Sequence, residues 1–212
     1  IDATDANGNT LSIADAFRVD MVDPEAPLIE NVILDDDGVE AIKIAATDND
    51  VTVTEITNSG GTNQLKDQDD VDLNNAGTKM EFEFDSILPN GSHLVVNETD
   101  TAGNENSTYL VLEEAGTNAV DLIGLDNFDI GAIDLSFAKD SDLTLDINTL
   151  EGLSDIDNNL IIHGGDDDSV TITGAKDINE TKDIDGKTYD VYTMGDDAQI
   201  FIEDGVNVIG TI

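Results

Sequence analysis

Hydrophobic and polar residues alternate in short stretches along much of the chain. Residues 51–54, 80–84 and 170–173 are apolar at every second position. Gly, Asn and Asp cluster between such stretches, as they do between the strands of antiparallel sheets. Asp also outnumbers Glu, although Glu is the better helix former. The pattern predicts an all-β protein.

One segment departs from this two-residue period. Asn148 and Thr149 precede Glu151 with the spacing of a helix N-terminus, and leucines follow three residues apart, which predicts a short helix within residues 146–154. Tyr189 and Tyr192 would face opposite sides of an extended strand, one in the core and one at the surface. Beyond the helix we expect an antiparallel meander with strands at 158–163, 168–173, 187–194 and 198–203.

A short motif occurs twice, about 95 residues apart. Residues 4–9 read Thr-Asp-Ala-Asn-Gly-Asn and residues 99–104 read Thr-Asp-Thr-Ala-Gly-Asn, and a strand-like segment follows each copy. A period near one hundred residues suits an immunoglobulin-like (Ig-like) β-sandwich of about seven strands. We therefore expect the end of a preceding Ig-like repeat and its linker in residues 1–23, a complete sandwich in 24–114, and a second, mainly antiparallel β domain containing the helix in 115–212.

The topology of such a sandwich predicts which loops meet. Its strands are expected at 28–34, 39–46, 51–57, 79–84, 92–98 and 106–112. Asp48 and Asp50 then lie between the second and third of these strands, and Asp100 and Asn104 lie between the last two. Both loops share one end of the sandwich with the incoming linker, which carries Asp23. Carboxylates from three separate segments are expected to converge there.

The chain is strongly acidic and has no cysteine. Its 212 residues include 48 Asp and Glu against 8 Lys and Arg, which gives a net charge of -40. Phosphate backbones and anionic lipid surfaces would repel such a protein, so nucleic acid and membrane are poor partners. No apolar run approaches the roughly 20 residues that cross a bilayer. Without thiolates, a bound metal would be held by oxygen atoms or by the two histidines.

Calcium fits the converging acidic loops. It takes about six to eight oxygen ligands, whereas two close carboxylates without a cation repel each other by roughly 4 kcal/mol at an effective dielectric constant of about 20. We predict a calcium ion at this joint between repeats. Its ligands are expected among Asp23, Asp48, Asp50, Asp100 and Asn104, the last of which lies in the loop of Asp100.

A second calcium site is predicted at the opposite end of the sandwich. Asp35, Asp36 and Asp37 precede Gly38 in the loop between the first two strands, near the point where the chain leaves for the second domain. The loop lacks the ligand spacing and terminal Glu of an EF-hand. The acidic residues 66–72 fall in the long connection between the third and fourth strands, where we expect a solvated loop.

Several of these motifs together resemble a known family. The Thr-Asp-x-x-Gly-Asn motif, the segment 90–94 before it and the proline-bounded linker 24–27 are similar to the bacterial Ig-like repeats of giant type I-secreted, biofilm-associated adhesins. The stretches 141–145, 153–155, 161–167, 170–174 and 185–195 resemble the domain near the C-terminal end of the same adhesins.

This resemblance implies an extracellular protein of the bacterial cell surface that acts in adhesion and biofilm formation. It also implies export by type I secretion, neighbouring Ig-like repeats in the same chain and calcium ions that stiffen the joints. The family's tandem Gly- and Asp-rich nonapeptides are absent here. Residues 163–168 form at most one degenerate copy, so we expect a polar hairpin turn there and not a calcium β-roll.

Catalysis is not expected. The sequence contains no P-loop, Gly-x-Ser-x-Gly or His-Glu-x-x-His motif. His93 and His163 fall within or at the end of strands, where a packed or exposed histidine is commoner than a catalytic base. A calcium-rigidified spacer is the first hypothesis. One alternative is a module in residues 115–212 that binds a surface glycan or protein through calcium, and another is that the acidity is an adaptation to high salt.

Overall fold

The structure, a computed structural model, describes most of the chain. The described residues are 2–4, 10–12, 20–35, 38–57, 59–67, 71–74, 76–89, 91–112, 118–153, 159–195 and 198–210. Strands predominate in these ranges and one short helix occurs in them, which confirms the all-β class. No helix within the same ranges is both long enough and apolar enough to span a bilayer.

The first half of the chain forms a hairpin and a two-sheet sandwich. Its strands are β1 (Asp2–Thr4), β2 (Thr10–Ser12), β3 (Ile29–Asp35), β4 (Gly38–Ala45), β5 (Asp50–Ile56), β6 (Thr62–Lys66), β7 (Asp72–Leu73), β8 (Lys79–Pro89), β9 (His93–Thr99) and β10 (Glu105–Leu110). β1 pairs with β2. One sheet has the order β3-β4-β8-β7, and β6, β5, β9 and β10 are neighbours in another. These are the places of strands A, B, E and D and of strands C′, C, F and G in an Ig-like sandwich.

The predicted strands of the sandwich agree with the observed ones to within two residues at nearly every end. The exception is β8, which continues past the predicted residue 84 to Pro89. Gly38 begins β4, and a Cβ atom at this position would overlap the carbonyl oxygen of Leu88 in β8. The two sheets enclose a core to which Ile42 and Phe82 contribute from one side and Val53 from the other.

The second half of the chain winds between two sheets. Its elements are β11 (Ile130–Asp134), β12 (Asp142–Leu145), α1 (Ile147–Leu153), β13 (Asn159–His163), β14 (Ser169–Ile172), β15 (Ala175–Ile184), β16 (Lys187–Met194), β17 (Ala198–Glu203) and β18 (Asn207–Ile209). β11, β13 and β17 pair in parallel, and β12, β14 and β18 pair in parallel in a separate sheet. Each strand of the first set leads into one of the second, which gives three stacked coils. Equivalent side chains stack from coil to coil, as Ile133, Ile162 and Ile202 do.

The predicted antiparallel meander is therefore wrong in its pairing, although its strands are in the right places. Of the four strands predicted for the meander, only β16 and β17 are antiparallel partners in the described structure. β15 pairs antiparallel with β16, and this hairpin lies in the sequence between the second and third coils. Strands 159–163 and 169–172 lie in different sheets. Residues 163–168 thus connect two sheets, and the hairpin turn expected there is also wrong. The alternation of apolar and polar residues along a strand shows which side chains are buried, but it does not show which strand lies next to it in the sheet.

The predicted short helix is confirmed as α1. It buries Leu150 and Leu153 in the core of the coils. Asp146 caps its N-terminus, since Oδ1 accepts hydrogen bonds from the Thr149 amide at 2.8 Å and from the Thr149 hydroxyl at 2.9 Å. These bonds hold the pKa of Asp146 below its usual value.

One sheet runs through both halves of the molecule. β10 pairs in parallel with β11, so nine strands lie in the order β15-β16-β17-β13-β11-β10-β9-β5-β6. We call this the shared sheet. Leu94 and Leu110 pack in the sandwich core, whereas Val95 and Tyr109 pack in the core of the coils. Because neighbouring residues of a strand point to opposite faces, the sandwich and the coils lie against opposite faces of the same sheet.

Tyr189 and Tyr192 also lie on opposite faces of the shared sheet, as predicted, but neither is at the surface. Tyr192 packs in the core of the coils. Tyr189 is fully buried in a smaller cluster with Val191 and Phe201 on the other face. The expectation that one of the tyrosines is exposed is wrong because partly buried isoleucines of β13 and β15 pack against this cluster.

Candidate functional site between the linker and the shared sheet

The linker, residues 20–28, is held against β10 by three side chains. Asn104 Nδ2 donates a hydrogen bond to the Val22 carbonyl at 3.2 Å, and Asn106 Nδ2 donates to the Pro24 carbonyl at 2.9 Å. The Thr108 hydroxyl donates to the Pro27 carbonyl at 2.6 Å. Asn106 and Thr108 are two residues apart in β10 and therefore point to the same face, and Asn104 immediately precedes this strand.

The three segments of the predicted joint site do come together in the fold. Asp50 pairs with Thr99 across β5 and β9, so it lies next to the loop that begins at Asp100. Asn104, at the end of that loop, contacts the linker beside Asp23. Asp48 and Asp50 are both exposed.

The carboxylate of Asp100 is occupied by its own loop. Oδ1 accepts the amides of Ala102 at 2.7 Å and Asn104 at 2.9 Å, and Oδ2 accepts the Asn104 side-chain amide at 2.8 Å. The Asn104 side chain, aided by the loop amides, lowers the pKa of Asp100. Among the residues that the structure describes, no three acidic or imidazole groups are grouped as metal ligands are. Calcium at this joint stays a prediction.

Glu98 organises the loop that carries Asp48 and Asp50, and the sequence reasoning missed it. Its Oε1 atom accepts hydrogen bonds from the Thr47 hydroxyl and from the Asn49 side-chain amide, both at 2.7 Å. The side chain is buried. Leu94 and Val96 point into the sandwich core from the same strand, so the two-residue period extends to Glu98 and was the available signal.

The predicted site at the opposite end is only partly described. Asp35 is exposed at the end of β3 and pairs with Gly38 across the turn. Asp36 and Asp37 lie outside the described residues, as do residues 68–70 of the acidic loop between β6 and β7.

A buried polar cluster lies where β11, β13, β16 and β17 meet. His163 Nδ1 is 2.8 Å from the Tyr189 hydroxyl and 3.9 Å from Glu203 Oε2. Lys187 forms an ion pair with Glu203 at 2.9 Å. Asp134 is 3% exposed and pairs with His163 in the parallel ladder of β11 and β13. His163 is thus a packed histidine at the end of its strand.

Burial sets the proton affinities in this cluster. It lowers the pKa of His163, although the neighbouring Asp134 carboxylate opposes that change. It raises the pKa of Asp134 against the opposing effects of His163 and the Ser136 amide, and it raises the pKa of Tyr189 as well. The Tyr189 hydroxyl therefore stays protonated, and His163 is favoured in its neutral form.

Asp168 ties two coils together at the corner after β13. It is 1% exposed, and its Oδ1 accepts the Ser141 amide at 3.1 Å while Oδ2 accepts the Gly165 amide at 2.8 Å. Burial raises the pKa of Asp168, and the two amides oppose that change. The Gly- and Asp-rich segment that resembles one nonapeptide turn thus uses its last Asp for a structural contact.

A cavity of about 650 Å³ lies between the linker and the shared sheet. Its floor includes Ile161, His163 and Phe201 of β13 and β17. Residues 21–26 and Leu28 line one wall, and the end of the β15–β16 hairpin lines another through Lys182–Asp185. Asn106 of β10 and the segment of residues 129–132 at β11 complete the lining, so six segments that are distant in sequence build one pocket. Its volume is in the range of ligand sites in proteins.

The Lys182 side chain reaches the aromatic floor of this cavity. Its Nζ atom lies 4.5 Å from the centroid of the Phe201 ring, within the range of a cation–π contact. Phe201 is 6% exposed. The ring is therefore covered by an ammonium group of the chain itself.

Comparisons of the chain with protein-family models, with curated proteins and with solved structures find no match.

The chemistry of the site follows from its geometry alone. Carboxylates at the rim, an aromatic ring in the floor and side-chain amides in the walls are groups that bind a ligand through charge and contact. The imidazole of His163 is engaged with the Tyr189 hydroxyl. The arrangement is a pocket of mixed polar and apolar lining beside a linker that three hydrogen bonds hold in place.

Proposed function

We propose that this chain is a calcium-stabilised segment of a large bacterial surface adhesin, which acts outside the cell in adhesion and biofilm formation. One observation carries the proposal: the shared sheet continues from the sandwich into the coils through the β10–β11 ladder, which has one register shift between Ser107 and Thr108. Backbone hydrogen bonds of this ladder join the two halves. A stalk that must keep its extension under load needs such a connection.

The hydrogen-bonded linker supports the same function. Hydrogen bonds from Asn104, Asn106 and Thr108 fix the approach of the chain to the sandwich. An orientation fixed in this way suits a tandem array in which each repeat continues the direction of the last. Calcium at the joint would stiffen it further, because an ion that bridges the linker and two loops offsets the repulsion of their carboxylates.

Calcium titration by calorimetry tests the metal part of the proposal. The double variant Asp48→Asn/Asp50→Asn removes two exposed carboxylates without touching the loop bonds of Asp100. We expect it to weaken calcium binding by at least tenfold. The matched control is Asp126→Asn/Asp204→Asn, which removes two exposed carboxylates away from the joint and should bind as the wild type does. Equal affinity of all three proteins would contradict calcium at this joint.

Small-angle scattering tests the mechanical part. On addition of chelator we expect the maximum dimension to change, because the linker loses a bridge, while thermal unfolding of the sheets changes little. An unchanged scattering profile would contradict bridging. The adhesive role itself is tested by deleting this segment from the protein that carries it and measuring biofilm mass, where no loss would contradict the proposed function.

A second candidate function is ligand binding by the region that contains residues 115–212, and the cavity favours it. Most of the cavity floor comes from β11, β13 and β17. Screening of the whole chain against glycans and surface proteins, with and without chelator, separates this function from that of a spacer. Specific binding in either condition would favour the ligand-binding module.

A further inference from the structure

We propose that the cavity between the linker and the shared sheet binds an organic ammonium group on an aliphatic stem, as carried by a lysine side chain or by a polyamine. This inference goes beyond the adhesin proposal and does not rest on it. It stands on the charge of the cavity lining, on the composition of the floor, and on the contact between Lys182 and Phe201.

The charge of the lining selects a cation. Among the described residues around the cavity, five are carboxylic acids: Asp23, Glu25, Asp129, Asp183 and Asp185. The basic side chains of the lining are Lys182 and His163. The net charge of the whole chain has the same sign, so the long-range field also draws cations towards the opening.

The floor selects an organic cation over a bare metal ion. Ile161 and Phe201 offer carbon surface, which suits methylene groups but gives no oxygen ligands to a divalent ion. A lysine side chain or a polyamine carries both parts, because an aliphatic stem packs on apolar surface while its ammonium group contacts carboxylates and aromatic faces.

Lys182 shows how an ammonium group occupies this floor. Its Nζ already lies over Phe201 at 4.5 Å, although the residue is otherwise exposed on the hairpin. A ligand ammonium would take the same position on the ring, and Lys182 would turn outward into solvent. Lys182 is thus a competitor of the ligand, and its removal should strengthen binding.

Asn106 supplies a second, separate recognition point. It lines the cavity, and its Oδ1 atom is buried and accepts no hydrogen bond within the described structure. The atom packs against Gly131, so a ligand N–H group would satisfy it once the Asn106 side chain turns towards the cavity. β10 lies three strand spacings from β17, or roughly 14 Å, so one ligand that reaches both positions needs donors near its two ends. A lysine-bearing peptide and a long polyamine share that property.

The experiment measures binding of two probes to the full chain at fixed ionic strength in chelator-containing buffer. The probes are spermidine and the capped peptide acetyl-Gly-Gly-Lys-amide, and NMR shifts locate their site. The variants are Lys182→Ala, which uncovers the Phe201 ring, and Phe201→Leu, which keeps the floor apolar and removes the aromatic face. The matched control is Lys176→Ala, which removes an exposed lysine of the same strand β15 away from the cavity.

We expect Lys182→Ala to tighten binding by about 3- to 10-fold and Phe201→Leu to weaken it by a similar factor, because each changes one cation–π contact. Lys176→Ala should leave the affinity unchanged, and the shifts should centre on Ile161, Ile184 and Gln199. Tighter binding of the peptide identifies a protein source for the ammonium group, whereas binding of spermidine alone identifies free polyamine.

Three results would overturn the proposal. One is the absence of binding by both probes. The second is an equal gain in Lys182→Ala and Lys176→Ala, which would mean that the acidic surface attracts cations without a site. The third is unchanged affinity in Phe201→Leu with a melting temperature near that of the wild type. If that variant unfolds, the comparison of the two lysine variants decides the question.

Discussion

The side-chain amide of Asn106 in β10 donates a hydrogen bond to the backbone carbonyl of Pro24, 2.9 Å away. The two residues are 82 positions apart in sequence, and their contact fixes the linker on the shared sheet. Asn104 and Thr108 make the same kind of bond on either side of it. The direction in which the chain reaches the sandwich is therefore set by two side chains of β10 and by Asn104 just before it.

Replacement of Asn106 by alanine should remove the middle one of the three hydrogen bonds that hold the linker on the shared sheet. We expect a loss of about 1 kcal/mol in the free energy of unfolding, because one net hydrogen bond disappears. The amides of residues 21–26 should also exchange faster with solvent. Chemical denaturation and hydrogen exchange measure the two effects. Asn63→Ala, at an exposed position in the edge strand β6, is the control. An equal effect of this variant would contradict a specific role of the Asn106–Pro24 hydrogen bond in holding the linker.

Glu98 should be the most sensitive acidic residue near the joint. Glu98→Ala leaves the Thr47 hydroxyl and the Asn49 amide without their buried acceptor, so we expect a loss of about 2 kcal/mol in the free energy of unfolding. Glu98→Gln keeps a carbonyl acceptor and should lose less. Glu105→Ala, at an exposed position of β10, should change stability little. Urea titrations should show the largest loss for Glu98→Ala, a smaller one for Glu98→Gln and the smallest for Glu105→Ala. Another order would contradict the role of Glu98 as a buried hydrogen-bond acceptor.

Acidification should destabilise the protein through His163. Its pKa is lowered by burial in the folded state, so below the ordinary value of about 6.5 the unfolded chain binds the proton first. Stability should fall as the pH drops from about 6.5 towards the folded-state pKa and then stop responding to this group. Denaturant midpoints between pH 7.5 and pH 5 measure the slope, which should be smaller in His163→Gln.

Titration of Asp134 should have the opposite effect on stability from that of His163. Its pKa is raised by burial, so the folded state binds a proton more readily and gains stability as the pH falls through that raised value. Asp134→Asn removes this gain and also removes the carboxylate that favours protonated His163. The variant should therefore show a steeper loss of stability below pH 6.5 than the wild type. A shallower loss would contradict the coupling of the two residues.

Asp168 should contribute more to the free energy of unfolding than the other acidic residues of its loop. Asp168→Asn can accept only one of the two amide hydrogen bonds made to Oδ1 and Oδ2, so we expect a loss of about 1 to 3 kcal/mol in the free energy of unfolding. Asp167→Asn, at the exposed neighbouring position, is the matched control. Guanidinium unfolding and exchange of the Ser141 and Gly165 amides measure the difference. Equal stability of the two variants would show that the corner does not depend on Asp168.

The sequence predicted strand positions well because alternation is a local property. Residues 51–57 and 92–98 were expected as strands, and β5 and β9 match them to within one residue. The polar strand β6 escaped notice because its side chains are exposed or half-buried at a sheet edge and show no apolar period. Pairing was harder, since Ile161 and Ile162 suit a strand that is covered on both faces whatever its neighbours are.

The same limit applies to the sites. The approach of Asn104 to the linker could be predicted from sandwich topology, and the structure places the two together. The cavity could not be predicted from the sequence. It is formed by the linker, by β11, β13 and β17 and by the end of a hairpin, and these segments meet only because the three strands pair in parallel. Asp134 and His163 meet for the same reason, as neighbours in a parallel ladder that alternation does not reveal.

The inserted hairpin also determines how the shared sheet ends. β15 is an edge strand, and an exposed edge of backbone N–H and carbonyl groups invites pairing with a second molecule. This edge carries Lys176, Glu180 and Lys182, and its register shifts between Asp177 and Glu180, with Asn179 in a left-handed conformation. Charges and a bulge are the features that discourage such pairing. The hairpin thus protects a very acidic, strand-rich protein from sheet-to-sheet aggregation at the side where its coils stop.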